Sequence, residues 1–172
     1  MFSSRRFAAL MILLVIMTVG VFGISNLATA KGMRKSGSTM KLTEKDLPPT
    51  VLSTFQKAYP KAIINGVRKE KIDTVACFEI ESTEGTMHRN LFYSTDGTLQ
   101  EMEEQINTTT DLPAPVHTAF NKQYPNTPIS MAWRVTRGMS TTYEVAMGKS
   151  KSRKELIFDP NGNIMKSERS GY

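Results

Sequence analysis

The stretch Asp46–Pro60, DLPPTVLSTFQKAYP, returns at Asp111–Pro125 as DLPAPVHTAFNKQYP, offset by 65 residues. Asp46, Leu47, Pro48, Val51, Phe55, Lys57, Tyr59 and Pro60 recur as Asp111, Leu112, Pro113, Val116, Phe120, Lys122, Tyr124 and Pro125. At the same offset Ile64, Glu79, Leu91, Gly97 and Glu103 recur as Ile129, Glu144, Leu156, Gly162 and Glu168. One register kept through all of these identities marks a tandem duplication. Whatever one copy forms, the other must form too. The copies span residues 46–106 (repeat one) and 111–172 (repeat two). A unit of about 60 residues buries only about 60% of its unfolded surface, so the two are expected to pack on each other as one body.

Each copy opens with a helix signal. Asp46 or Thr50 is placed to cap it, and Pro48 and Pro49 suit a first turn, where a missing N–H costs nothing. Val51, Phe55 and Tyr59 fall at i, i+4 and i+8, one helical stripe that Val116, Phe120 and Tyr124 repeat. Pro60 and Pro125 end the helices.

Four strand signals follow in each copy. The first lies around residues 62–69, matched by 127–134. The second is 74–81, matched by 139–146. The third is 88–94, matched by 153–159, and the fourth starts at Thr98, matched by Asn163. Asp96-Gly97 and Asn161-Gly162 precede the fourth strands and predict type I′ hairpins. The fold class is therefore α+β: two tandem repeats, each one helix packed on a four-stranded antiparallel meander sheet. Alternation then sorts the side chains. Phe78, Ile80, Leu91, Tyr93 and Leu99 face the helix, with Tyr143, Val145, Leu156, Phe158 and Ile164 as their counterparts. Cys77, Glu79, Asn90, Phe92, Gln100 and Met102 face away, as do Thr142, Glu144, Glu155, Ile157 and Met165. Trp133 is in phase with Ile129 and Met131. It is a core residue, or an exposed platform if a bulge reverses its direction.

Before the repeats the chain changes character. Arg5 and Arg6, the apolar run Ala8–Ile24 and Ala28-Thr29-Ala30 read as a secretory signal peptide, residues 1–30, cut after Ala30. The 17-residue run also reaches the lower limit for a membrane span, which leaves an uncleaved inner-membrane anchor over 8–24 as the alternative. Export to the periplasm or beyond follows from the first reading. Residues 31–45, rich in Gly, Ser and Lys, read as a flexible basic tether. Charge is unevenly placed. Residues 31–45 carry five basic groups and one acid, residues 46–104 six and ten, residues 111–172 nine and five. Such polarity suits a surface that steers a partner of opposite pattern. It lacks the basic stripe with interleaved aromatics that nucleic-acid binding needs.

The sequence holds no recognisable catalytic constellation. Cys77 is the only cysteine, so no internal disulfide forms, and two histidines are too few for a structural zinc site. A Cys77–His88 thiolate–imidazole pair is conceivable, but repeat two has Thr142 in place of the cysteine. Glu79 and Glu144 match across the copies and face away from the helices. In separate sister sheets they would be too far apart for paired acid–base work. No cofactor is expected.

The pattern LPxxVxxxFxxxYP, an extended segment, a (F/Y)E(I/V) strand, and an apolar strand ending in (D/N)G(T/N)(L/I) resembles the PepSY-like, beta-lactamase-inhibitor-like group of exported bacterial proteins. Leu47–Glu103 and Leu112–Glu168 each carry it. The resemblance implies tandem helix-on-sheet units and non-catalytic binding or inhibition of a secreted enzyme such as a peptidase. It carries no binding residue over to this chain. From the residues themselves, the sheet side away from the helix is the candidate face for a protein or peptide partner in the periplasm. Glu79, Phe92, Trp133, Glu144, Arg153, Ile157 and Met165 are its candidate contacts, an apolar centre with a charged rim. The alternative is a structural envelope protein whose open faces are buried between the repeats.

Overall fold

The computed structural model describes residues 42–149 and 153–169. The leader of residues 1–30 and most of the tether of 31–45 lie outside them. Residues 42–45 do not belong to a free tether: Leu42 bridges to Val67, and Glu44–Asp46 form a short 3-10 turn.

Helix α1 spans Pro49–Ala58 and helix α2 Ala114–Gln123. Prolines open both, and neither has a side-chain cap. The capping roles expected for Asp46 and Thr50 are taken elsewhere. The Asp46 carboxylate accepts from Thr43 N and Oγ1, each at 2.8 Å, and the Thr50 hydroxyl donates to the Thr95 carbonyl at 3.0 Å. Prolines at the helix start leave fewer N–H groups for a cap to satisfy. Both helices leave their last turn with the same backbone bend, at Tyr59 and Tyr124. Each tyrosine ring then sits against the phenylalanine four residues back, at 5.6 Å and 5.7 Å between centroids.

The strands are β1 Ile63–Ile72, β2 Val75–Glu84, β3 Met87–Ser94, β4 Leu99–Ile106, β5 Ile129–Arg137, β6 Ser140–Met147, β7 Lys154–Phe158 and β8 Ile164–Arg169. They do not form two four-stranded sheets. They form one antiparallel sheet in sequence order, β1 through β8. The join is β4 against β5, with Met102 opposite Thr136 and Ile106 opposite Ala132. Unpaired strand edges are a liability, and this pairing removes two of them at once. It also sets both helices on the same side of one continuous sheet.

Val51 and Phe55 pack with Val67, Phe78, Ile80, Leu91 and Tyr93 in one core cluster. Val116 and Phe120 pack with Ala132, Val145, Leu156 and Phe158 in a second, which also takes Ile106 from β4. The clusters therefore interlock at the join.

Register shifts recur at the same offset. They fall between Ile64 and Gly66 and between Ile129 and Met131, then again opposite Phe92/Tyr93 and Ile157/Phe158. An extra residue turns the rest of its strand over. In β4 it sends Met102 to the helix side, opposite Leu91, where the Tyr59 hydroxyl lies 3.4 Å from its sulfur. The expectation that Met102 faces away is thereby corrected, and Glu101 takes its place. Nor are the Asp-Gly and Asn-Gly turns of type I′. Only their glycines have positive φ, and Gly97 N and Gly162 N donate to the carbonyls of Ser94 and Asp159. These are longer hairpin loops closed by a left-handed glycine.

Candidate partner-binding face

The open side of the sheet is read off the strands by alternation. Phe92 lies between Leu91 and Tyr93, which point into the α1 core, so it points the other way. One row across repeat one runs Arg68, Glu79, Phe92, Glu101. The equivalent row in repeat two runs Trp133, Glu144, Ile157, with Lys166 next in register. Beside it lies a row of Met131, Ala146 and Glu155.

The two rows end up in different states. In repeat one Phe92 is fully buried, packed with Ile72 and Cys77 in a small third cluster. Glu79 is 2% exposed and lies 3.5 Å from the Arg68 guanidinium, which also pairs with Glu81. Partial burial works against the charge of Arg68, and Glu79 and Glu81 more than compensate, holding its pKa above the usual value. Glu101 and Glu103 are buried as well. Arg137 Nε donates to Glu101 at 2.9 Å, and Asn90 donates to Glu103 at 2.9 Å. Buried carboxylates require such partners.

A curl of the sheet accounts for this closure. β3 ends at Ser94, opposite Cys77, so the tip of the β1–β2 hairpin overhangs it. Arg137, at the end of β5, reaches the tip residue Asp73 at 3.3 Å. Strands β2, β3 and β4 lie between them in the sheet order, about 14 Å or more if it were flat. The sheet must therefore curl toward its open side, where Ile72, Cys77 and Phe92 are diagonal neighbours on β1, β2 and β3 and pack together. In repeat two the matching positions are Arg137 for Ile72 and Thr142 for Cys77. No apolar lid forms there, and Trp133, Glu144 and Ile157 remain half-buried.

The sequence-derived candidates fare accordingly. Trp133, Glu144 and Ile157 are brought together as register neighbours on β5, β6 and β7. The bulge at Ser130 turns Trp133 away from the helix, where it is half-buried, although Ile129 stays on the helix side. Arg153 lies beside them, 2.8 Å from Glu155 and 3.7 Å from the Met131 sulfur. Met165 is 53% exposed but occupies the bulge of β8, outside the row. Phe92 and Glu79 are interior groups rather than surface contacts. The reading missed Met131 and Arg137. The bulge that turns Met131 outward has its match in repeat one, where Ile64 and Val67, three apart, both pack on the α1 core.

No reactive pair assembles among these groups. Cys77 lies opposite Ser94 and His88 opposite Thr83, six residues apart along β2, about 20 Å. Burial raises the pKa of the Cys77 thiol. Glu79 and Glu144 share one sheet, contrary to the sister-sheet expectation, with β3, β4 and β5 between their strands. Among the described residues no group of three or more His, Cys, Asp or Glu is placed to hold a metal ion. No helix there is long and apolar enough to cross a membrane.

An antiparallel sheet with helices on one side and a mixed apolar and charged second side defines a class of α+β scaffold. The family model described as "Putative beta-lactamase-inhibitor-like, PepSY-like" matches residues 33–101 and 79–166. The chain belongs to this family. Solved structures share the fold. A protein from Bacteroides eggerthii that is described as "putative periplasmic" has a TM-score of 0.61 at 16% identity, over 73% of this chain and 92% of its own. A DUF2874 family protein from Bacteroides uniformis gives 0.60 at 17%, over 73% and 91%. A BLIP-like protein from Bacteroides fragilis gives 0.55 at 17%, over 72% and 86%. No curated protein matches the sequence.

Proposed function

We propose that this chain is an exported, non-catalytic binding module that captures a protein or peptide on the open sheet face of repeat two. It is built from two copies of a helix-plus-four-strand unit. The carrying observation is the contrast between equivalent rows: the chain covers Phe92 with its own Ile72, whereas Trp133, Glu144 and Ile157 stay accessible. Aromatic and aliphatic anchors flanked by charge are the usual make-up of interface centres. Trp133 and Ile157 are the central contacts, with Met131 beside them. Glu144, Arg153 and Glu155 form the rim, and Met165 lies at its margin.

Export rests on the Arg5/Arg6, apolar-run and Ala28-Thr29-Ala30 pattern, with cleavage before Lys31. The periplasmic description of a similar structure agrees with it. The finer reading is that the partner is an exported enzyme, such as a peptidase, held in check at this face. It draws on the beta-lactamase-inhibitor-like description of the family. The alternative is a structural envelope-associated protein with no inhibitory role.

The test uses immobilised full chain and envelope extract, comparing wild type with Trp133→Ser and Ile157→Ser. Both variants are expected to lose the specifically captured protein while their melting temperatures stay within a few degrees of wild type. Equal capture by all three chains sinks the proposal.

A further inference from the structure

The tip of the β1–β2 hairpin lies on the open face of repeat one, and three observations bear on what it does there. Ile72 seals Phe92 and Cys77, so the apolar spot equivalent to Ile157 is present but closed. The tip is held from outside its own repeat. Arg137 spans from Asp73 to Glu101, and Glu101 is the register neighbour of Phe92. Finally, Asp73 has a positive φ of 54°, a backbone state that a non-glycine residue keeps where surrounding contacts hold it.

We propose that repeat one carries a second, closed copy of the partner-binding face, with Ile72 as its built-in occupant and Arg137 as the latch that keeps the hairpin tip shut. Residue 72 lies over the spot in repeat one, and its counterpart in repeat two is the latch itself. Duplication has thus supplied both the lid and the group that fastens it. Releasing Arg137 frees the tip to lift and exposes Phe92, Cys77 and Glu79 as an apolar spot with an acidic neighbour. A ligand for the opened spot is an aliphatic side chain presented from an extended segment, the chemistry Ile72 supplies now. That the spot is a binding face rests on the binding reading for repeat two, but the latch has its own readout and can fail separately.

That readout is Cys77, the only cysteine in the chain. The full-length protein is alkylated with iodoacetamide at increasing urea, for wild type, Arg137→Gln, Asp73→Asn and Arg137→Lys. Local opening gives a labelling rate with shallow urea dependence, whereas global unfolding gives the full slope. Arg137→Gln is expected to speed labelling without urea by about tenfold or more, since hydrogen bonds to a buried carboxylate are lost. Asp73→Asn, at the exposed end of the latch, is expected to give about two- to fivefold. Arg137→Lys keeps the charge but not the fork, and should fall between wild type and Arg137→Gln. The latch is overturned if Arg137→Gln and Asp73→Asn both label at the wild-type rate. It is equally overturned if every variant labels only along the full global slope.

Discussion

Two demands meet at Gly97 and at Gly162. Each closes a β-hairpin with a positive φ, 89° and 84°. Each also abuts the first turn of its helix. A Cβ on Gly97 would lie 3.0 Å from the Thr50 carbonyl oxygen and the Thr54 hydroxyl. On Gly162 it would lie 2.5 Å from the Pro115 carbonyl oxygen, and backbone cannot swing aside as a side chain does. Gly→Ala is therefore expected to cost on the order of 1–3 kcal/mol at either position, and more at Gly162. Urea denaturation of the two variants checks this. A smaller loss at Gly162 than at Gly97 contradicts the packing argument.

At the scale of elements, the helices carry equal structural work. Phe55 and Phe120 are both almost completely buried, each under its own stretch of sheet. Phe→Ala at either is expected to cost on the order of 3–5 kcal/mol. Differential scanning calorimetry should show both variants melting well below wild type, and an unshifted midpoint for either refutes the helix placement. The helices were legible in the sequence because their stripe, proline start and proline stop agree. The meander was legible for a similar reason, since alternation and Asp-Gly or Asn-Gly turns repeat at one offset. The bulges were not. A residue such as Gln100 or Met165 breaks the alternation without any composition signal of its own, and Met102 was misplaced as a result. The site was half legible. Trp133, Glu144 and Ile157 fall on one face, Trp133 only through a bulge that plain alternation leaves open. The burial of Phe92 depends on a hairpin tip curling over it, and period-two reasoning within one strand has no access to that.

Across the whole molecule the decisive contact is the β4–β5 join, which local patterns do not announce. Glu104 on β4 sits between Arg89 on β3 and Arg134 on β5, and Arg89 also lies over the Tyr59 ring. Burial opposes the Glu104 charge, but the hydrogen bonds and charges of Arg134 and Arg89 outweigh it and hold its pKa below the ordinary 4.5. A carboxyl with a depressed folded pKa stabilises the fold fully above its unfolded value and loses that contribution as pH falls through the folded one. Stability is thus expected to decline below about pH 4.5, and Glu104→Gln to flatten this part of the decline. Urea midpoints taken between neutral pH and pH 3 measure it, and an unchanged acid slope in the variant removes Glu104 from the account.

The same join gives the duplication a direction. Ile106 leaves the first copy to pack under the helix of the second, and Arg137 leaves the second to hold a turn of the first. Equivalent positions no longer serve equivalent ends: the partner of Ile106 by offset lies past the described chain, and the partner of Arg137 is Ile72. A gene rearranged to place residues 111–172 ahead of 46–106 would encode the same two helices and the same eight strands. It would break the β4–β5 pairing and separate Glu104 from Arg134. The order of the copies has become heritable information, and later changes in either half are judged against a neighbour on one side only.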